Sequence, residues 1–259
     1  MAYRALKKLY YGDRETYRQA YEQRFSSDNT VRLDFDIAGH QAFFVQCDDV
    51  IRLTYHISKL DKDIYKLRKQ LPPVALQQYS KRCLIDEIVI TNSIEGVYSS
   101  RKEIGEALRV LEEQSARKGR KPAFLGLVNN YRKLLRDEPV PLCTCRDIRD
   151  IYDEIVLEEV VKENRNHMPD GQIFRKDLTE VLSATGKSIH RGKYPESEII
   201  AYMEKALAFL NDETVLPPYR ICLFHYMMGY IHPFYDGNGR LGRFILSYCI
   251  AENYVALDV

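Results

Sequence analysis

HPFYDGNGRLGR, residues 232–243, gathers one histidine, one acid, one asparagine, three glycines and two arginines into twelve positions. Helix-like apolar segments flank it. Upstream, Pro217-Pro218 opens a helix whose residues 221–230 are apolar almost all round, as expected of a helix buried at the centre of a bundle, and His232 falls at its C-terminal end. Downstream, Leu241, Phe244, Ile245 and Tyr248 share one helical face while Arg240, Arg243 and Ser247 fall on another. The stretch therefore reads as helix, loop, helix, which sets the class of the whole second half of the chain.

The loop has the composition of a phosphate site. Gly237-Asn238-Gly239 before a helix turns several backbone N–H groups toward one point, and the helix dipole adds partial positive charge there. Arg240 and Arg243, at i and i+3 of the first turn, project beside this nest. Asp236 is suited to hold a Mg²⁺ ion that bridges phosphates. His232, with an ordinary pKa of about 6.5, is placed to accept a proton. GNGRLG satisfies G-x-G-x-x-G, but a helix precedes it where a dinucleotide fold needs a strand, and no P-loop motif occurs. His225 and His56 read as satisfied core histidines.

Working outward, Pro195 opens a helix with Glu196 and Glu198 in its first turn and Ile199, Met203, Ala206 and Leu210 as its stripe. The least helical part of this half, 171–195, predicts a short hairpin between Thr179 and Gly192 that turns at Thr185-Gly186-Lys187; residues 165–171 read as loop. Thr144 and Asp147 look like a helix cap, with Ile148, Ile151, Tyr152 and Ile155 on the face that follows, and Asp137–Pro141 is a loop. RKGRKP, 117–122, reads as a solvated loop. Ser100 and Glu103 form a capping-box pattern.

Further upstream, a helix over about 82–96 ends at Gly96 as C-cap, which leaves Glu95 in the last turn, where the dipole disfavours an acid by about 0.3–1 kcal/mol. A cation is expected to face Glu95. Another helix runs from about Asp48 through Ile51, Tyr55, Ile57, Leu60, Ile64 and Leu67 to the stop Leu71-Pro72-Pro73. Val31, Leu33, Phe35 and Ile37 alternate with charged residues, so with the turn Ala38-Gly39 they predict a β-hairpin, preceded by one helix over 3–25. The expected architecture is all-α, with two small hairpins: an appendage over 1–47 and a helical domain over 48–259.

The whole chain is 259 residues, 45% hydrophobic, with 38 Lys+Arg against 37 Asp+Glu. That near-balance excludes a domain-wide basic field for nucleic acid, so phosphate chemistry is local. The charged start and the lack of a run of about 20 apolar residues predict a protein without signal or membrane span, cytoplasmic, with no membrane partner. Six scattered cysteines lack zinc-site or disulfide-framework spacing and read as reduced thiols.

Residues 232–243 resemble the signature of the Fic family, H-x-F-x-[DE]-G-N-G-R-x-x-R, matched at His232, Phe234, Asp236, Gly237, Asn238, Gly239, Arg240 and Arg243. Thr91, Glu95 and Gly96 also match the family's inhibitory motif, [ST]-x-x-x-E-[GN], in the class with an N-terminal inhibitory helix. The resemblance spans about 45–255 and includes GQIFR, 171–175. It implies a helical core with a hairpin flap and transfer of AMP from ATP to a hydroxyl of a target protein. It also implies roles: His232 as base, Phe234 as loop anchor, Asp236 on Mg²⁺, residues 237–239 and Arg240 on phosphates, Arg243 on the γ-phosphate, and Glu95 pairing with Arg243. Thr185, Gly186, Lys187, Ser188 and His190 would form the flap that docks the target. AMP removal on the same site, or nucleotide sensing without turnover, are the alternatives; self-modification and homodimerisation stay open. The chain stops 16 residues after Arg243, sooner than relatives commonly do, which suggests a natural chain that continues.

Overall fold

The computed structural model describes residues 4–113, 122–182 and 185–254, so residues 117–121 of the basic run lie outside the described residues. The described residues form eleven α-helices and two antiparallel two-stranded sheets, a mainly helical fold. By its contacts the chain divides into two units, one ending at Leu60 and one beginning at Asp61. No helix among the described residues is long and apolar enough to cross a membrane.

In the first unit the expected single helix is two, α1 (Leu6–Gly12) and α2 (Arg14–Ser26). Asp13 is the reason for the break. Extended at φ −147°, it caps α2 by accepting from the backbone N–H groups of Glu15 and Thr16, and an Asp cap after a glycine outweighs the continuous apolar pattern. β1 (Thr30–Ile37) and β2 (His40–Val45) form the N-terminal hairpin, turned by Ala38 and Gly39, both at positive φ, the geometry of a two-residue primed turn. Leu33 and Phe35 are buried on the inward face of β1, and Tyr21 and Phe25 of α2 pack edge-on against Phe43 of β2.

α3 (Asp48–Arg68) passes from the first unit into the second and buries no residue. His56 on it is exposed, which corrects its reading as a core histidine: apolar neighbours in sequence do not bury a residue on a helix that keeps every residue at least partly exposed. α4 (Pro73–Ile94) starts earlier than expected because Pro73 occupies its first turn, where a missing N–H costs nothing. α5 (Arg101–Glu112) begins with the Ser100–Glu103 capping box, and α6 (Leu125–Leu135) follows. α7 (Cys145–Ile155) begins with the Thr144–Asp147 box and buries Ile148, Ile151, Tyr152 and Ile155. After α8 (Leu157–Glu163), the expected loop contains a 3₁₀ turn, Arg165–His167, capped by Asn164.

β3 (Glu180–Leu182) and β4 (Ser188–Arg191) make the flap hairpin, with Glu180 opposite Arg191 and Val181 opposite His190. α9 (Glu196–Leu210) and α10 (Pro217–Ile231) pack together, and α10 also packs on α11 (Asn238–Asn253). α7 touches α9 and α11, while α4 and α6 lie against α11 from another side. α10 is not buried all round: Cys222, Tyr226 and Gly229 are exposed, because α9 and α11 cover only part of its circumference. The core therefore centres on α11, whose first turn follows the 232–237 loop directly.

Candidate active site

α10 ends at His232, whose φ of +51° swings the chain out of the helix while its N–H still donates to the Met228 carbonyl at 3.0 Å. A non-glycine residue in this region needs surrounding support. Arg175 supplies it. Fully buried, its guanidinium donates to the carbonyls of His232 at 3.0 Å, Lys193 at 2.8 Å and Asp177. The Lys193 N–H donates to the Ile231 carbonyl at 2.9 Å. Gly192 passes so close that an added Cβ would collide with the Arg175 guanidinium and lie 3.1 Å from the His232 Cβ. Burial, then the positive charge of Arg175 and the neighbouring His190, lowers the His232 pKa from 6.5 to about 4. His232 is thus a neutral imidazole at neutral pH.

The loop beyond is clamped at several points. Phe234 is fully buried, stacked on Tyr152 at 3.6 Å and meeting Phe174 edge-on at 5.5 Å. Asn238 closes the turn by accepting from the Phe234 N–H at 3.0 Å and donating back to its carbonyl at 2.8 Å. The Tyr152 hydroxyl donates to the Asp236 carbonyl at 3.2 Å, and the Tyr235 hydroxyl accepts from the Asp177 N–H at 3.0 Å. Gly237, at φ +78°, begins α11; a side chain there would be strained and would press on Val156 and Tyr152. Behind it, Glu196 accepts from the N–H groups of Gln172, Ile173 and Phe174. Burial alone would raise its pKa, but these donors hold it below the ordinary carboxylate value.

At the N-terminus of α11 no side chain of the helix's own N-cap residue satisfies the first N–H groups. The Glu95 carboxylate lies there instead: a Cβ added to Gly239 would collide with its oxygens. Arg243 Nη2 donates to Glu95 Oε1 at 2.6 Å and to the Thr91 carbonyl at 3.2 Å, while its Nε donates to the Thr91 hydroxyl at 2.6 Å. Glu95 itself is the C-cap of α4, one residue earlier than expected, with Gly96 after it at φ +74°. Val97 N–H to Asn92 carbonyl and Gly96 N–H to Ser93 carbonyl complete a Schellman motif, which fixes where the carboxylate emerges.

Arg240, expected off the apolar face of α11 and beside the loop, is buried. It is 1% exposed, and its Nε and Nη1 have no hydrogen-bond partner among the described residues. Two buried N–H donors without a partner among the described residues are of the kind that could hold an anionic oxygen. Asp236 Oδ1 accepts from the Gly237 N–H at 2.5 Å, and Oδ2 lies 3.6 Å from His167 Nδ1, with the carboxylate 38% exposed. Among the described residues no cluster of three metal-ligating side chains occurs. A single half-exposed carboxylate fits a Mg²⁺ ion that takes its other oxygens from phosphates and water.

In the flap, Thr185, Gly186 and Lys187 are exposed at the turn and Ser188 is exposed on β4. His190 bonds the Tyr230 carbonyl at 2.6 Å, so it fastens the flap to the end of α10. His225 is half-buried and bonded to the Gly242 carbonyl at 3.2 Å. Arg175 and Tyr152 are the supporting residues that the motif-based reading did not assign. A buried arginine bonded to main-chain carbonyls has no charged partner to betray it in sequence.

This is a helix–loop–helix arrangement set in a mainly helical core with an antiparallel hairpin. Residues 142–250 match the model of the Fic/DOC family. The chain is 25% identical over 118 residues, 43% of its length, to the protein adenylyltransferase Fic-1 of Caenorhabditis elegans, and the match covers 22% of that relative. A Fic family protein from Desulfovibrio desulfuricans has the same fold, with a TM-score of 0.58 and 19% identity over 83% of this chain and 61% of that one. A segment of C. elegans Fic-1 gives a TM-score of 0.54 at 17% identity, covering 95% of this chain and 65% of that one. The chain thus spans only part of each of these relatives. Residues 142–250, less than half of the chain, are what is similar to the Fic/DOC family, and the likeness of fold extends over more of it.

Proposed function

We propose that this protein is an adenylyltransferase that moves AMP from ATP to a serine, threonine or tyrosine hydroxyl of a target protein. The observation that carries the reading is a neutral, buried His232 set one short loop away from a helix N-terminus furnished with Arg240 and Arg243. The target hydroxyl gives its proton to His232, its oxygen bonds the α-phosphorus, and the bond to the β-phosphate oxygen breaks so that pyrophosphate leaves. The N–H groups of 237–239 and the unpaired donors of Arg240 offset negative charge on the phosphates, and Arg243 takes the γ-phosphate. Mg²⁺, held through Asp236, would add charge neutralisation at the phosphates. The exposed edge of the flap, 185–188, would hold the target segment as an added strand. Scattered free cysteines support a cytoplasmic setting.

Glu95 would keep this activity low. Its bond to Arg243 and its seat over Gly239 use the groups that the triphosphate requires. The same carboxylate suits a second reading, removal of AMP from a modified target with Glu95 orienting water. Incubation with ATP, Mg²⁺ and host lysate, with mass detection of 5′-AMP adducts, tests the first; release of AMP from a modified target tests the second. His232→Ala should abolish transfer and leave nucleotide binding largely intact. Transfer retained in that variant overturns the base assignment.

A further inference from the structure

On α3, Val50, Leu53, Ile57, Leu60, Ile64 and Leu67 recur at alternating spacings of three and four, and Leu71 continues the series beyond the helix end. That is the 3.5-residue repeat of a coiled-coil seam, narrower than the stripe of a helix lying on a globular core. The helix is 21 residues long, three heptads. Val50 is half-buried, and from Leu53 onward the seam is open among the described residues. Leu53, Leu60 and Leu67 are each 61% exposed, and Ile57 and Ile64 are 36% and 38% exposed. An apolar strip of this length on one helix marks a surface that another chain covers.

We propose that a second copy of this chain covers it, as a parallel, in-register, two-stranded coiled coil of α3 on α3. The residue types select that partner. β-branched Val50, Ile57 and Ile64 take the a positions and Leu53, Leu60 and Leu67 the d positions, the combination that favours two parallel strands over higher assemblies. An identical helix in register meets each a layer with an a layer and each d layer with a d layer. The cations Arg52, Lys59, Lys62 and Lys66 fall at c and f, away from the seam.

The flanking charges agree with the parallel orientation. A g residue faces the e′ residue five positions further along the other strand, so Asp63 of each copy meets Arg68 of the other. Asp63 bonds Lys66 of its own helix at 3.1 Å, but with side chains 50% and 60% exposed that pair is readily exchanged. Three heptads are near the lower limit for a coiled coil, so the dimer should be reversible and concentration-dependent.

Sedimentation equilibrium of the full chain across the micromolar range is expected to show mass rising from the 30.3 kDa of the chain toward twice that value. Leu60→Asp with Ile64→Asp should hold it at the monomer mass with an unchanged helical circular-dichroism signal. A wild-type chain that stays monomeric, or a double variant that still dimerises, overturns the proposal. Leu60→Cys supplies a readout that does not depend on how the aspartates are tolerated. A d-position cysteine faces itself only in a parallel, in-register pair, so mild oxidation should yield a 60–60′ disulfide in peptide mapping. An oxidised Leu60→Cys protein without that disulfide rejects the geometry.

Discussion

Replacing Glu95 by glycine should release the site. Arg243 and Glu95 are joined by one charge-assisted hydrogen bond of 2.6 Å, with side chains 22% and 25% exposed. Such a bond contributes about 1.5–3 kcal/mol when well shielded, and partial exposure to solvent reduces this to about 1–2 kcal/mol. If that bond must break before a γ-phosphate can take Arg243, its loss raises the competent fraction by about 5- to 30-fold. The assay is the initial rate of AMP incorporation from labelled ATP at concentrations well below saturation, with wild type and Glu95→Gly compared at equal active protein. Glu95→Gln, which keeps an acceptor oxygen but loses the charge, should fall between them. The helix end tolerates the change, because Gly96 and the Val97 N–H complete the Schellman turn without the Glu95 side chain. Equal rates for wild type and Glu95→Gly, with both proteins melting alike, would refute the claim that Glu95 restrains transfer.

Other consequences follow from the supports around His232. With its pKa lowered to about 4 by burial and by Arg175, the base should remain active on the acid side, so the acidic limb of kcat/KM in the Glu95→Gly background should fall near pH 4 and not near 6.5. The same residue makes folding pH-dependent. The unfolded chain binds the proton near pH 6.5 and the folded one only near pH 4, so stability is full above 6.5 and is lost as pH falls through that window, by on the order of 3 kcal/mol; chemical denaturation at pH 7 and pH 4.5 measures it, with His232→Gln removing the difference. Arg175→Met leaves the carbonyls of His232, Lys193 and Asp177 without their donor. At about 1–3 kcal/mol for each buried group left unpaired, the melting temperature should drop sharply; an unchanged melting curve would remove Arg175 as the joint of this segment.

Local rules carried much of this molecule. Capping boxes at Ser100 and Thr144, the Pro217 start of α10 and the Ala38-Gly39 turn depend on residues within a few positions of each other, and such signals survive tertiary context. The stretch 232–243, a short loop and the first turns of α11, was legible for the same reason. What was not legible came either from two local signals in conflict or from neighbours remote in sequence. The split at Asp13 set a cap against a continuing apolar period, and the cap won. His56 sits in an apolar pattern that looks like a core stripe yet lies on an exposed helix, because periodicity reports amphipathicity and not what covers the face. Arg240 falls off the apolar face of α11 by spacing but is only 1% exposed.

The contacts at Arg243 are asymmetric, and this bears on how readily Glu95 would leave it in the proposed reaction. Thr91 holds the guanidinium at two points, hydroxyl and carbonyl, while Glu95 holds it at one. Thr91 lies within α4, 1% exposed and fixed by helix packing; Glu95 is the C-cap residue beyond the last helical turn, where backbone restraint is weakest. Loss of the Glu95 contact therefore does not free Arg243 to wander. The side chain stays anchored by Thr91, with Nη2 left without its carboxylate. A ligand that displaces Glu95 would meet an arginine already ordered, so no entropy would be spent on placing it. The Schellman turn ends α4 through backbone bonds alone, so the carboxylate would be able to swing aside without unwinding the helix. Opening then costs about one charge-assisted bond and not the docking of α4 on α11, which is why the expected gain from Glu95→Gly is a modest multiple and not the many orders of magnitude that unfolding a helix would imply.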